Sequence, residues 1–175
     1  RLSREKNIPL AIETFKKIVE MYPRTGLVIV GDGPEKSKLE NLVKQSDLKN
    51  NVVFEGWVDG DLASYYKTAD TFLSCSDFEG YGLTLIAAVA SGCPVVSTDV
   101  GIARELVCDK LFSVCPVGDQ DCLFDKVSAV IKSRRDGKNV SSDKKPALEG
   151  VTVANKEKFL ISYRQNIESA IMQNL

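Results

Sequence analysis

The sequence predicts an α/β fold, a Rossmann-like doubly wound parallel sheet in three α/β/α layers. Three observations predict it. Short continuous apolar runs, beginning at Leu27, Val52, Phe72, Val95 and Leu111, alternate with segments whose apolar residues recur at helical spacing. Most runs end in glycine or in small and polar residues, where a strand should stop. One stretch, Thr71 to Glu105, contains a whole strand, glycine turn, helix, second strand and second glycine turn. Parallel strands joined in this way bring their carboxyl ends to one rim, and in open α/β sheets ligands sit beyond that rim.

Residues 1–7 are polar and lead into a helix, because Ile8, Ile12, Phe15, Ile18 and Val19 follow at helical spacing and Pro9 is tolerated in a first turn. Gly26 to Gly31 is the clearest strand, and its continuous branched apolar residues suit coverage on both faces. Gly31-Asp-Gly-Pro follows. Pro34 fits the first position of a helix running from Glu35 to about Gln45, with Leu39, Leu42 and Val43 on one face. Lys36 stands where a dinucleotide fingerprint needs its third glycine, which argues against that cofactor. Asn51 to Val58 reads as a strand and exit loop, and Leu62, Tyr65 and Tyr66 as a short amphipathic helix. Leu83 opens a helix to about Ser91, with Gly92 as its stop and Pro94 beyond. A last strand at Leu111 to Cys115 precedes a helix starting near Gly118 and carrying Leu123, Val127, Val130 and Ile131. Ser133 to Gly150 is charged and poor in apolar residues, as a surface connection would be. Phe159, Ile161, Tyr163, Ile167, Ala170 and Ile171 then return to near-helical spacing. The resulting division is a Rossmann-like domain over 1–134, a connection over 135–152 and a C-terminal helix over 153–175, packing on or across that domain. A doubly wound half-sheet places its first strand centrally, and none precedes Arg1. An apolar gap inside the sheet and a longer parent chain are therefore expected.

Composition bounds the function. At 175 residues and 43% apolar content the chain is about one domain long, and a formal charge of -1 from 23 basic and 24 acidic residues leaves no nucleic-acid footprint. No apolar run approaches the ~18 residues of a membrane span. The five cysteines, Cys75, Cys93, Cys108, Cys115 and Cys122, are odd in number and lack close pairing. They read as reduced thiols in a cytoplasmic protein, several of them small core hydrophobes. With no histidine and no ligand spacing, no metal site is expected.

The chemistry gathers at Glu79-Gly-Tyr-Gly-Leu. Glycines at 80 and 82 let the main chain approach a ligand, and the free amides at the start of the following helix form an anion site suited to phosphate. Glu79-Gly-Tyr-Gly-Leu-Thr-Leu-Ile, then Ala90-Ser-Gly-Cys-Pro-Val-Val-Ser-Thr-Asp-Val-Gly and Glu105, resembles the donor-binding region of retaining GT-B glycosyltransferases of the family-four type. The likeness runs over roughly Arg1 to Ser133 and more weakly over Val151 to Leu175.

That resemblance implies half of a GT-B fold that binds a nucleotide-diphosphate sugar and transfers the sugar with retention, in polysaccharide or glycoconjugate biosynthesis. Glu79, in the catalytic position, would face the sugar hydroxyls. Gly80 and Tyr81 form the turn, and the amides of Gly82, Leu83 and Thr84 would hold the diphosphate with Arg1 and Lys6, so that no metal or other cofactor is needed. Gly31 and Gly33 would keep backbone bulk away from the donor, or simply make a tight turn. Trp57 and Val58 would line the base pocket, though a lone tryptophan also serves as a packing residue. Glu105 would either contact the donor or cap the short helix after it. The family's second glutamate falls at Ala87, which cannot accept from the ribose hydroxyls. A degenerate, non-catalytic binding module is the alternative that Ala87 favours. The acceptor domain would belong to the same longer chain, leaving this part inactive alone, cytoplasmic and open to peripheral membrane attachment.

Overall fold

The computed structural model describes residues 1–60, 62–107 and 111–137. Strands and helices alternate through them: α1 (Ile8–Met21), β1 (Leu27–Val30), α2 (Lys36–Gln45), β2 (Val52–Gly56), α3 (Leu62–Thr68), β3 (Phe72–Ser74), α4 (Leu83–Ala90), β4 (Val95–Thr98), β5 (Phe112–Cys115) and α5 (Gln120–Arg135). Short 3-10 turns at Arg4–Lys6 and Ala103–Leu106 complete the order. Every strand pairing is parallel, as in a Rossmann-like fold. The described strands form two sets, β1 beside β2, and β3, β4, β5 in that order. β1 and β3 are not bonded to each other, so the sheet is interrupted between them as the sequence led us to expect.

Local chemistry sets the element ends. Asn7 takes the left-handed conformation (φ 42°) that asparagine tolerates, and its side chain accepts from the Leu10 amide to start α1. Gly82 does the same backbone work before α4 (φ 97°), and Gly92 (φ 75°) ends that helix. Asp119 caps α5 by accepting from the Cys122 amide at 2.9 Å. Pro34 does not open α2, contrary to the sequence reading. The Glu35 amide donates to the Leu2 carbonyl at 3.2 Å, which holds the turn against the N-terminal residues and delays the helix to Lys36.

Alternation along the strands builds two cores. Ile29, Val52, Val96 and Cys115 join Ile12, Phe15, Ile18, Leu39, Val43, Leu123 and Val127 on the face covered by α1, α2 and α5. On the other face α3 packs on α4 and α4 on β4. Tyr66 of α3 meets Phe72 of β3 edge-on, with ring centroids 5.3 Å apart. The coverage of both faces expected of β1 fails, and β2 shares its exposed face, because α3 lies over β3 and α4. The register partners Val28 and Val53 are 51% and 54% exposed.

The expectation of reduced thiols needs a second correction. Cys115 ends β5, Cys122 lies in the first turn of α5, and the tight turn between them brings their Cα atoms to 5.7 Å, where they form a disulfide. Cys75 and Cys93 remain free and buried, as small hydrophobes. Burial pushes their thiols up, to about 12 and about 11 respectively.

Helix α5 runs to Arg135, through the first three residues of the charged stretch that starts at Ser133 and one residue past the domain boundary drawn at 134. The rest of that connection beyond 137, the C-terminal helix and Cys108 lie outside the described residues. Among the described residues no helix is long and apolar enough to cross a membrane.

Candidate functional site

The N-terminal residues act as a strap along the rim. At one end the Leu2 amide donates to the Asp32 carbonyl at 2.8 Å, which ties the strap to the loop after β1. At the other, the Asp77 amide donates to the Glu5 carbonyl at 2.8 Å, Asn7 Nδ2 to Asp77 Oδ1 at 2.8 Å, and Lys6 Nζ to Glu79 Oε1 at 2.7 Å. The strap therefore joins the rims of the two strand sets. Gly31 and Gly33 make room for it. A Cβ at Gly33 would run into the Leu2 backbone, and one at Gly31 (φ 127°) would lie 3.4 Å from the Arg1 nitrogen. The space these glycines keep open beside the strap is filled by the chain's own first residues, which favours the structural reading of that turn.

Glu79 is held tightly, its side chain 12% exposed. Its Oε1 accepts from both Lys6 Nζ and Ser76 Oγ, the latter at 2.8 Å. Its Oε2 has no hydrogen-bond partner among the described residues. Lys6, expected to face an anion, is thus already paired with Glu79.

The turn that follows Glu79 leads into α4 at Gly82. The Leu85 amide bonds back to the Gly82 carbonyl at 3.0 Å, whereas the amides of Gly82, Leu83 and Thr84 pair with no acceptor among the described residues. They form the kind of donor cluster that binds anions at helix starts. The second glycine turn clamps the first. The Ile102 amide donates to the Tyr81 carbonyl at 2.9 Å, and a Cβ on Gly101 (φ 54°) would fall 2.5 Å from that oxygen and 3.2 Å from Glu79 Cβ. Of the two glycines in this turn, Gly82 adopts positive φ and Gly80 does not. Gly80 instead faces open space.

The remaining predicted residues are distributed around this centre. Glu105 lies within the 3-10 turn at Ala103–Leu106, in its first turn and not at its cap, which is Ile102. Burial and then the Glu105 carboxylate push the Tyr81 phenol up, so these side chains are electrostatic neighbours. Leu83, 64% exposed, and half-buried Ala87 stand one turn apart on α4. Trp57 is 69% exposed, with Nε1 donating to Asp59 Oδ1 at 2.5 Å, and so is not a core residue. Val58 beside it is half-buried, and Arg1 is exposed.

Two features escaped the sequence reading. Ser76 and Thr98 follow or end adjacent apolar strands, and Thr98 Oγ1 donates to the Ser76 backbone carbonyl at 2.6 Å, so a buried hydroxyl anchors the residue whose own hydroxyl holds Glu79. The only signal for it is a polar hydroxyl at the end of each apolar run. In the loop after β4, Arg104 Nε donates to both oxygens of Asp99, at 2.8 and 2.7 Å. This fork holds the Asp99 carboxyl below its usual range and raises the Arg104 guanidinium. A cavity of about 340 Å³ on the strap is lined by Arg4, Glu5, Ile8, Glu35, Leu39 and Asp77 among others, but neither Glu79 nor the start of α4 lines it. No group of three or more metal-ligating side chains occurs among the described residues.

The arrangement can hold a ligand that combines an anion with hydroxyl groups. Amides and cations would meet the anion, and Oε2 of the fixed Glu79 carboxylate would accept from a hydroxyl.

The sequence model described as glycosyl transferases group 1 matches residues 1–145. The alpha-monoglucosyldiacylglycerol synthase of Streptococcus pneumoniae is 31% identical over 145 residues, which are 82% of this chain and 33% of the relative. The poly(glycerol-phosphate) alpha-glucosyltransferase of Bacillus subtilis is 36% identical over 110 residues, 62% of this chain and 16% of the relative. The chain thus spans a third or less of these relatives. Among solved structures, TarM of S. aureus, crystallised with UDP and alpha-GlcNAc-glycerol, superposes with a TM-score of 0.80 at 22% identity, covering 95% of this chain and 34% of TarM. The pneumococcal O-GlcNAc transferase GtfA with UDP and GlcNAc gives 0.72 at 20% identity, covering 98% and 34%.

Proposed function

The chain belongs to the group 1 glycosyl transferases, of GT-B type, and on that premise we propose that it is the donor-binding half of a sugar transferase that works with retention of anomeric configuration. The donor is a nucleotide-diphosphate sugar. Its diphosphate lies on the amides of Gly82, Leu83 and Thr84, with Arg1 and Lys6 nearby. As the bond from the anomeric carbon to the diphosphate breaks, the electron pair leaves with the nucleotide. Fixed amides and cations stabilise that charge without reorganising and without a metal. Glu79 orients the sugar through Oε2, Trp57 and Val58 contact the base, and Glu105 borders the site through Tyr81. An acceptor-binding domain of the same longer chain completes the enzyme, which works in the cytoplasm and is open to peripheral membrane attachment.

The observation that carries this reading is the row of amides at the start of α4 that meet no acceptor among the described residues, with the Glu79 carboxylate held through Oε1 and without a partner on Oε2 among those same residues. The solved neighbours whose descriptions include UDP support the choice of ligand class. A second reading, a binding module without productive transfer, is favoured by Ala87. Losing a hydrogen bond that the ribose would donate to a charged acceptor would weaken binding by ~1.5–3 kcal/mol. Calorimetric titration with UDP- and GDP-sugars tests both. Measurable binding that tightens roughly tenfold or more in Ala87→Glu supports a donor site short of one contact. No binding before or after that substitution removes the donor-site reading.

A further inference from the structure

We propose that Ser76 is a positioning residue for Glu79, fixing which carboxylate oxygen is left for the sugar; this rests on the donor reading above. Ser76 lies just past β3, is 2% exposed, and donates through Oγ to Glu79 Oε1 at 2.8 Å. Its own backbone is anchored from the neighbouring strand, because buried Thr98 Oγ1 donates to the Ser76 carbonyl at 2.6 Å. Lys6 Nζ reaches the same Oε1 at 2.7 Å from the strap. The two donors differ in kind. Lys6 sits on a long flexible stem and is part exposed, its side chain at 28%. It supplies charge but little direction. Ser76 has a short side chain locked in the core, and so supplies the direction. With Oε1 doubly occupied, Oε2 is the remaining acceptor, and a hydroxyl of the bound sugar meets a carboxylate that has already lost its rotational freedom. Without Ser76 the carboxylate would follow Lys6, and both oxygens would compete for the ligand.

The test separates orientation from general damage by comparing UDP with UDP-glucose on the 175-residue chain. In Ser76→Ala, affinity for UDP-glucose is expected to fall roughly tenfold, while affinity for UDP stays within about twofold, since only the sugar uses Glu79. Equal losses for both ligands, or none for either, would overturn the proposal. A ligand-free cycle runs beside it, with Ser76→Ala, Glu79→Gln and the double variant compared by melting temperature. The two single losses should exceed the loss in the double variant by about 3 °C or more, as for groups in direct contact. Additive losses would mean that the hydroxyl does not hold the carboxylate, and the proposal falls. Should wild-type chain bind neither UDP nor UDP-glucose, the donor reading fails by itself, and the cycle alone decides whether Ser76 positions Glu79.

Discussion

The strands β3, β4 and β5 and the pair β1 and β2 are similar apolar runs, yet they live in different surroundings. All four residues of β4 are buried, whereas β1 buries only Ile29 and leaves Val28 facing out. The site divides along the same line. The three-stranded set supplies the fixed parts: Glu79 with the hydroxyls of Ser76 and Thr98 behind it, the α4 amides, and the glycine turn at Gly101. The pair supplies a glycine turn that accommodates the strap, and exposed Trp57. Coverage on both faces buries the groups that orient a charge. Coverage on one face leaves side chains free to adapt. The strap, anchored at Asp32 and at Asp77, makes the two sets share one rim.

The largest expected effect contrasts two glycines, one from each set. Gly101 and Gly56 both have positive φ, at 54° and 79°. Alanine at Gly56 has nothing within 4 Å to meet, so only backbone strain of about 1–2 kcal/mol is expected. Alanine at Gly101 adds a collision with the Tyr81 carbonyl, and a loss of about 3–4 kcal/mol in urea unfolding is expected, with UDP binding lost as the α4 turn shifts. Equal losses at the two sites would show that the clamp between the glycine turns is not rigid.

Next comes the disulfide, which staples β5 to α5 on the three-stranded side. Cys122→Ser should lower stability by about 2–3 kcal/mol, the loop-closure scale for a short ring. The same loss should follow addition of a dithiol reductant to wild type, and reductant should leave Cys122→Ser unchanged.

How much of this could be read beforehand depends on what each signal carries. The rim was legible, since strand ends, Gly82, Gly92 and Gly101 are marked by local chemistry that folding does not alter. The run at Leu27–Val30 identified a strand but not its coverage, because apolar continuity is the same whether a helix lies over one face or two. Gly33 announced a close approach without saying that Leu2 is what approaches. The Lys6–Glu79 pair joins positions 73 residues apart, and the Cys115–Cys122 bond depends on how one turn folds. Neither is a property of local sequence. Ser76 carried almost no signal, because its meaning comes from Thr98 on the adjacent strand and from the rotamer of Glu79.

A matched pair of near-isosteric substitutions sharpens the difference in coverage. Val96→Thr places a hydroxyl where the residue is 0% exposed, with an expected loss of about 2 kcal/mol for an unsatisfied buried group. Val28→Thr, at a position 51% exposed, should change stability by less than about 0.5 kcal/mol. A loss at Val28 matching that at Val96 would mean that this face of β1 is covered in solution.

The smallest effect follows from where the free thiols sit. Cys75 and Cys93 both flank strands of the three-stranded set, and the pair β1 and β2 has none. Burial raises the Cys75 thiol from its ordinary 9.0 to about 12. The unfolded chain therefore releases this proton first as pH rises, and the folded state binds more protons between those two values. Stability contributed by the neutral buried thiol is fully present below pH 9, and is progressively lost as pH climbs from there toward 12. From pH 7 to pH 10 the loss from this one group should be about 1.5 kcal/mol. Cys75→Ala should flatten the curve by that amount, measured by urea unfolding under reducing and oxidising conditions alike. An unchanged slope in Cys75→Ala would show that the thiol is reached by water, and that the core behind the Glu79 loop is looser than the buried anchor from Thr98 to the Ser76 carbonyl requires.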